Sequence, residues 1–382
     1  MNAVVAIGNF DGVHLGHHRL IAVLRSEARK LGVPAVAICL FPHPLSLLRP
    51  AFVPATLHWP ERRARLLRAA GADVVAFLET TPSLLELSAE EFFERVLQEK
   101  LRFRGLVEGE NFRFGKGRRG DVSLLKRLCK ETRTPMTDVS LTDDDESTVS
   151  STRIREAVAA GDLRTASELS GRRHRIRGTV GVGARRGRTV GFPTANLVDV
   201  LGLVPVHGVY SAIARFDDGR AFPGACHIGP NPTFGEQAAK IEIHLLDFAE
   251  DVYGAAMEVE FVERIRDVRT FAGVDELVRQ IRADVEVARS SVLALPPDPI
   301  LPELATTIAE WVRWETTPSL RVVRVALESA AFVEPGVVRL QWRFDGAPTP
   351  NATFDLLFGL EERLRIVFPE VAHVVSSTTA TH

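Results

Sequence analysis

Apolar positions along the first 160 residues alternate between two kinds of run. Val4 to Ile7 is a short continuous apolar stretch, after which Leu20, Val23, Leu24 and Leu31 follow at helical spacing. Val36 to Phe41 is a second short stretch, Glu61 to Ala70 reads as a helix, and Val74 to Phe77 is a third stretch. This alternation predicts βαβ units around a parallel sheet. Beyond it, Leu87 to Leu101 reads as a helix, Gly105 to Val107 as a strand and Val122 to Cys129 as a helix. Asp143, Asp144, Asp145 and Glu146 mark a solvated loop before a helix from Ser151 to Ala160.

The texture changes at about Arg175. Arg175 to Val182, Gly208 to Phe216, Gly224 to Ile228, Ile241 to Leu246 and Met257 to Val262 are β-type runs separated by Gly, Pro and Asn-Pro turns. A helix from Val274 to Ala288 follows them, and short strands at this spacing predict a small barrel or sandwich. Pro296, Pro297, Pro299 and Pro302 give Ala294 to Pro302 a linker composition. After the linker come a helix near Leu304 to Trp314, strands at Val322 to Leu327 and Val337 to Phe344, and a helix from about Phe354 to Phe368. The expected domains are therefore 1–160, 165–290 and 303–382, the last a small α+β appendage, with no repeat of fixed period.

Composition narrows the class. The chain has 382 residues, 45% hydrophobic and 25% charged, which suits a multi-domain globular protein and excludes disordered or collagen-like chains. The formal charge of −2 removes any whole-protein argument for nucleic acid or an anionic membrane as partner. Cys39, Cys129 and Cys226 are widely separated and unpaired in motif, so neither a disulfide framework nor a structural zinc site is expected. The opening residues lack a basic n-region and meet a glycine and a charge early, and no later segment approaches 18 uncharged apolar residues. A cytoplasmic protein without membrane spans is expected.

The strongest chemical signal is Gly8-Asn9-Phe10-Asp11-Gly12-Val13-His14-Leu15-Gly16-His17, a glycine-rich loop between a predicted strand and a predicted helix. Unpaired amides at the start of such a helix face outward with the positive end of its dipole and bind phosphate. His14 and His17 add donors aimed at the same anion, and Gly16 lets the backbone approach it. A lone histidine here would be a surface or capping residue; the loop around this pair argues for anion binding instead.

The His-x-Gly-His signature resembles the adenylyltransferase superfamily, and the string Gly8 to His17 resembles one branch of it, the bacterial bifunctional riboflavin kinase/FAD synthetase. Phe41-Pro42-His43-Pro44, Gly109-Glu110-Asn111-Phe112-Arg113-Phe114-Gly115-Lys116-Gly117 and Val149-Ser150-Ser151-Thr152-Arg153-Ile154-Arg155 are similar to further blocks of that family. The resemblance implies a Rossmann-like nucleotidyltransferase domain that moves AMP from ATP to FMN and releases pyrophosphate. His14 and His17 would then serve catalysis as phosphate donors, with Gly8, Asn9, Phe10, Gly12 and Gly16 cradling the nucleotide. Ser151 and Thr152, capping their helix, and Arg155 would reach the far side of the triphosphate. Asn111 would face the flavin or adenylyl site, although a plain turn residue ahead of Phe112 accounts for it too. His43 carries the weakest signal, since Pro-His-Pro can simply shape a loop.

In the second unit, the glycines of Gly178 to Gly191, among them Gly181, Gly183 and Gly187, precede Pro193-Thr194-Ala195-Asn196. No Gly-Lys-Ser/Thr follows, so this is not a Walker A loop. Thr194 and Asn196 are two apart in an extended segment, point the same way and can offer two oxygens to one hard cation. The Pro-Thr-Ala-Asn string resembles the riboflavin kinase domain, as do Gly208 to Ser211, Ile228 to Phe234 and Glu242 to Phe248. By that resemblance the domain is a small antiparallel β-barrel with a C-terminal helix that phosphorylates riboflavin with ATP and Mg²⁺. Gly181, Gly183 and Gly187 would bind ATP, Thr194 and Asn196 the metal, and Glu242 would be the base that takes the proton of the ribityl hydroxyl. Read alone, Glu242 is one exposed residue alternating with Ile241 and Ile243.

Between Arg153 and Arg188 ten arginines face only Glu156, Asp162 and Glu168. Nucleic-acid binding would call for interleaved aromatics, yet no Phe, Tyr or Trp occurs from Val149 to Gly191, and nucleotides bound on either side of the segment would explain the excess. The resemblance covers about residues 4–290 and departs from the family in three places. The chain begins almost at the first strand, without the short N-terminal segment usual there; Glu110-Asn111 stands where many members have Glu-Asp; and 291–382 is extra. Within that tail, Gly336 to Leu340, Asp345 to Ala347, Leu360 to Leu364 and Phe368 to Val371 resemble the C-terminal domain of NifU-like iron–sulfur scaffolds. Pro348 and Asn351 stand near the places of that family's paired cysteines, so no cluster can be held that way. The tail reads as a module for homo-oligomerisation or for docking a protein partner. Two alternatives to the bifunctional reading are a chain keeping one activity and a flavin- or nucleotide-binding regulator with decayed catalysis.

Overall fold

A computed structural model describes residues 2–140, 149–183, 186–231 and 237–294, together with the backbone of Val325–Glu334, Val337–Phe344 and His373–Ala380. Two compact units emerge: Met1–Pro54 with Pro60–Ser150 in one, and Ala55–Trp59 with Ser151–Pro299 in the other.

In the first unit, β1 (Val4–Gly8), α1 (Leu15–Leu31), β2 (Ala35–Phe41), α2 (Pro60–Ala69) and β3 (Val74–Glu79) follow the expected order. Next come α3 (Ala89–Glu91), which runs on as the π-helical turns Phe92–Leu101, then β4 (Gly105–Gly109), α4 (Val122–Glu131) and β5 (Met136–Val139). Five strands form one sheet in the order β3-β2-β1-β4-β5, all parallel. Alternate residues of β1 face opposite cores. Val5 and Ile7 pack with Phe92, Leu97 and Leu125 on one face, and Val4 and Ala6 pack with Ile21, Leu24 and Leu67 on the other. α1 ends where Gly32 takes the left-handed conformation, at φ 63°, that closes a helix without a Cβ penalty. The edge strand β5 has no counterpart in the apolar pattern, because Met136-Thr137-Asp138-Val139 buries one residue in four.

The second unit begins with α5 (Ser151–Ala160) and α6 (Leu163–Ser170), the latter again absent from the sequence reading. Six strands follow: β6 (Arg175–Gly181), β7 (Ala195–Leu201), β8 (Gly208–Phe216), β9 (Ala221–Gly229), β10 (Lys240–Leu245) and β11 (Ala256–Arg266). They close into a barrel in the order β8-β9-β10-β7-β6-β11 with every pairing antiparallel. Closure leaves no edge strand, and the interior is filled by Tyr210, Phe261, Cys226, Ile243 and Met257. α7 (Val274–Leu293) packs on β8, β9 and β11.

The arginine-rich stretch has a different role from the one expected. Arg173, Arg175 and Arg215 converge on Glu260, which has no exposed surface, with Arg173 Nε at 2.5 Å and Arg215 Nε at 3.3 Å. Arg177 pairs with Asp217 at 2.7 Å and Arg164 with Glu168 at 2.9 Å. Carboxylates on β11, distant in sequence, therefore neutralise arginines that the local count assigned to nucleotides.

Near the C-terminus, β12 (Val325–Glu334) pairs antiparallel with β13 (Val337–Phe344), and β13 pairs parallel with β14 (His373–Ala380). β14 was not expected. The linker after Ala294 and the helices expected at 304–314 and 354–368 lie outside the described residues.

Candidate active sites

The first candidate lies at the C-terminal end of β1. Phe10 and Val13 both hold left-handed backbone, at φ 46° and φ 38°, and Gly12 sits at φ 85°. For a phenylalanine and a β-branched valine these angles store strain of about 1–3 kcal/mol each. Two buried contacts hold the loop against it. Arg63 on α2 donates through Nη1 to the Asn9 carbonyl at 2.9 Å, and its Nη2 lies 3.3 Å from Asp11 Oδ1. Both side chains are about 5% exposed, so the pair acts in a low-dielectric setting. Gly8 leaves room for the Phe10 ring, which would lie 3.3 Å from an added Cβ.

His14 caps α1 with extended backbone, and its ring stacks on His17 at 3.7 Å between centroids. The His14 N–H donates to His17 Nδ1 at 3.3 Å, so a neutral His17 carries its proton on Nε2. The first turn of α1 has no acidic side chain to offset its positive end. Gly16 lies within that turn. The arrangement offers helix amides and an Nε2–H donor to an anion, the chemistry of a phosphate subsite.

His43, the weakest of the sequence candidates, proves to contact this loop. Its Nδ1 accepts the Leu45 amide at 3.1 Å, which puts the proton of the neutral ring on Nε2, 3.1 Å from the Asn9 side-chain amide. That hydrogen bond must then run to the amide oxygen of Asn9. Asn111 is exposed at the corner of a turn after β4 in which the Phe112 N–H donates to the Gly109 carbonyl at 2.9 Å. Ser151 and Thr152 form the first turn of α5 rather than preceding it, and Arg155 Nε donates to the Ala55 carbonyl at 2.7 Å. These three residues belong to the second compact unit.

The second candidate is one row across the outer face of the barrel. Register pairs link Gly181 to Asn196, Asn196 to Glu242, and Glu242 to His227 on β6, β7, β10 and β9. Ala195 points into the core, so Thr194 and Asn196 on either side share the outer face, as their spacing predicts. The glycines press on these two side chains. A Cβ added to Gly183 would lie 2.1 Å from Asn196 Nδ2, and one added to Gly187 would lie 2.2 Å from the Phe192 carbonyl and 3.4 Å from Thr194 Oγ1. Gly181 meets the Val198 methyls at 3.0 Å instead. The flap thus forms a backbone-walled cradle around two neutral oxygen donors, which fits a hard divalent cation completed by phosphate oxygens. Among the described residues no group of three His, Cys, Asp or Glu side chains could hold a metal.

Glu242 is half-buried, and Asn231 Nδ2 donates to its Oε2 at 2.9 Å, which orients the carboxylate. Asn231 stood inside a matching block but carried no role in the sequence reading. His227, beside Glu242, is pushed down to about 4 by burial, Arg266 and His207, so it stays neutral next to the carboxylate. Arg266 is itself held by Asp284 of α7, with Nη2 at 2.7 Å from Oδ2. Sequence reasoning missed Arg63 and this pair because none carries a local motif, and gave Asp11, inside the Gly8–His17 string, no role because its partner is 52 residues away.

Comparison with known proteins agrees with this division. The family profile described as FAD synthetase matches residues 1–153, and the one described as riboflavin kinase matches residues 170–292. The bifunctional riboflavin kinase/FMN adenylyltransferase of Escherichia coli K12 is 37% identical over 286 residues, covering 75% of this chain and 91% of that protein. The protein of that name from Pseudomonas fluorescens is 38% identical over 294 residues, covering 77% and 93%, and the one from Bacillus subtilis is 34% identical over 291 residues. A crystal structure described as a macrolide-efflux protein from Streptococcus pneumoniae matches with a TM-score of 0.66 at 32% identity, covering 75% of this chain and 94% of that one. No helix among the described residues is long and apolar enough to cross a membrane. With both profiles present in order, and relatives matched over nearly their whole length, the chain belongs to the family of bifunctional riboflavin kinase/FMN adenylyltransferases.

Proposed function

We propose that the protein makes FMN from riboflavin and ATP on its barrel, and FAD plus pyrophosphate from FMN and ATP on its parallel-sheet unit. The observation that carries the reading is the row Gly181–Asn196–Glu242, where a carboxylate stands beside two cation-ready oxygens under a glycine flap. Glu242 takes the proton of the ribityl hydroxyl as its oxygen attacks the γ-phosphorus, and Asn231 holds the carboxylate in line. Thr194 and Asn196 would hold Mg²⁺, which would supply positive charge for the phosphates of ATP. Gly181, Gly183 and Gly187 form the wall against which ATP lies.

On the parallel-sheet unit no covalent intermediate is needed. An FMN phosphate oxygen attacks the α-phosphorus of ATP, the bond to the β-phosphate oxygen breaks, and pyrophosphate leaves. Charge that builds on the non-bridging oxygens meets the amides of the Gly8–Gly16 loop, His14 and the Nε2–H of His17. Asn111, at the turn after β4, is assigned to the flavin side. The two sites sit on separate scaffolds, so the activities should separate by mutation. Glu242→Gln is expected to abolish FMN formation while leaving the conversion of supplied FMN to FAD, and His17→Ala to do the reverse. Chromatography of riboflavin, FMN and FAD over time reads both, and loss of both activities in either folded variant would refute the two-site assignment.

The reading includes a cytoplasmic setting, where ATP is available and where Cys39, Cys129 and Cys226 persist as buried thiols. The segment 303–382 is assigned to docking or self-association.

A further inference from the structure

Beyond the phosphate loop, the parallel-sheet unit holds a carboxyl group that nucleotide transfer as described does not use. β1 and β4 are register partners at Val4–Gly105 and Val5–Leu106, and the ladder stops there. The strand order turns at this point, β2 and β3 lying to one side of β1 and β4 and β5 to the other. Sheets of this kind open a ligand crevice where the order turns, beyond the carboxyl ends of the strands. Further along β1, the Ile7 N–H donates to Oε1 of Glu108 at 2.8 Å, a side chain on β4. Glu108 is 2% exposed. Its alternate neighbour Leu106 belongs to the core cluster of Phe92, Leu97 and Leu125, so Glu108 stands on an apolar face of the sheet.

The two strands it joins feed the two halves of the proposed site. β1 runs directly into the Gly8–His14 loop, and β4 into the turn that carries Asn111. We infer that Glu108 is a positioning residue for adenylyl transfer, its carboxyl group bridging β1 and β4 beyond the end of their ladder and so fixing the spacing between the phosphate loop and the Asn111 turn. The inference rests on the adenylyltransferase reading of this unit.

The surroundings favour the protonated acid. Burial pushes Glu108 well above the usual carboxylate range, and the Ile7 amide pulls it back only in part. On the elements around it, Asp138 of β5 is its register partner and is taken up by Lys126 of α4 at 2.7 Å. The Cys129 thiol on α4 is pushed up to about 11 by burial. Asp11 is engaged by Arg63, and His14 and His17 stand at the start of α1. The π-helical turns present Phe92, Phe93, Val96 and Leu97 to this core, and β1 has no titratable side chain. Protonated, Glu108 accepts from Ile7 and adds no charge beside a triphosphate; ionised, it would place a buried anion in the wall of a site for polyanions.

The test uses the full chain with supplied FMN for adenylyl transfer and supplied riboflavin for phosphorylation, across about pH 6 to 9. In the natural protein the ratio of adenylyl transfer to phosphorylation is expected to fall at least about threefold wherever rising pH ionises Glu108, because the carboxylate, which still accepts from Ile7, becomes a buried anion in the wall of a site for polyanions. Glu108→Gln keeps the acceptor and cannot ionise, so its ratio should stay level. Glu108→Val removes the acceptor and should lower kcat/KM for adenylyl transfer by about tenfold or more at every pH, with phosphorylation within about twofold. A Glu108→Gln protein whose adenylyl transfer falls as far as expected for Glu108→Val overturns the inference, as does a Glu108→Val protein that adenylylates at the natural rate. Should Glu108→Val fail to fold, the Glu108→Gln profile decides alone. A natural chain that makes FMN but no FAD refutes the adenylyltransferase reading itself, a result distinct from any Glu108 profile.

Discussion

Replacing Gly183 by alanine tests whether the flap is part of the kinase site. The added Cβ would stand 2.1 Å from Asn196 Nδ2, 2.5 Å from Cγ and 2.7 Å from Oδ1, whereas ordinary contact begins at 3.4 Å. Asn196 cannot retreat through its backbone, since β7 is paired at this residue both to Gly181 on β6 and to Glu242 on β10. Relief must come from rotating the Asn196 amide or lifting the flap, and either disturbs the proposed cation ligand by about 1 Å or more. Overpacking of this kind costs about 1–3 kcal/mol, and a 1 Å misplacement in a reacting site costs about a hundredfold in rate. The expected result is a fall of about a hundredfold in kcat/KM for riboflavin phosphorylation, with FMN adenylylation within about twofold. Steady-state rates with each flavin supplied separately measure both. A folded Gly183→Ala protein that phosphorylates riboflavin at the natural rate would show that contact between flap and Asn196 has no part in the chemistry.

Two further outcomes follow from buried charge. Arg63→Met strips Asp11 of its buried partner and the Asn9 carbonyl of a donor, and is expected to lower stability by about 3–5 kcal/mol in denaturant titrations and to reduce FAD formation far more than FMN formation. Unchanged FAD formation in a folded Arg63→Met protein would remove Arg63 from the positioning of the loop. Burial alone would raise Glu260, but Arg175, Arg215 and Arg173 together hold it well below the usual carboxylate range. Its stabilisation is therefore complete above about pH 4.5 and is lost as pH falls below that value. Glu260→Gln should lower the denaturant midpoint at pH 7 and converge on the natural protein in acid; equal midpoints at pH 7 would contradict this.

Periodicity exposed the strands with continuous apolar runs, and Gly208–Phe216 and Ser151–Ala160 match their predicted bounds residue for residue. It passed over β5 and β7, whose mixed composition reflects an edge position in one case and, in the other, an outward-facing row that includes the proposed ligand Asn196. The glycine-rich loops and the Pro-Thr-Ala-Asn string were legible because backbone clearance and paired oxygens demand particular residues at fixed spacing. The supports of the loop were not, since Arg63 lies 52 residues from Asp11 and Glu108 lies 101 residues from Ile7. A buried arginine and a buried glutamate look in sequence like members of any solvated helix or strand end. The arginine count between 153 and 188 misled for the same reason: Glu258 and Glu260 are more than eighty residues away from Arg173, Arg175 and Arg177, which they neutralise.

The two proposed sites would solve one problem, holding a polyanion, with different materials, and this predicts how each fails. On the parallel sheet the donors are backbone amides and His17, and their geometry depends on strained residues clamped by Arg63. On the barrel the proposed ligands are side-chain oxygens for a cation, with Asn196 fixed by a two-sided strand pairing and glycines of the flap packed against them. Weakening the first clamp therefore releases stored strain and displaces the whole loop, costing stability and activity together. Altering the flap leaves the closed barrel intact and should affect rate with little loss of stability. Pairs of measurements, rate and denaturant midpoint, should consequently fall on two different lines for substitutions around Asp11 and for substitutions around Asn196. A shared line would mean that the flap too is part of the structural core, against the exposed Val182 within it, 75% accessible.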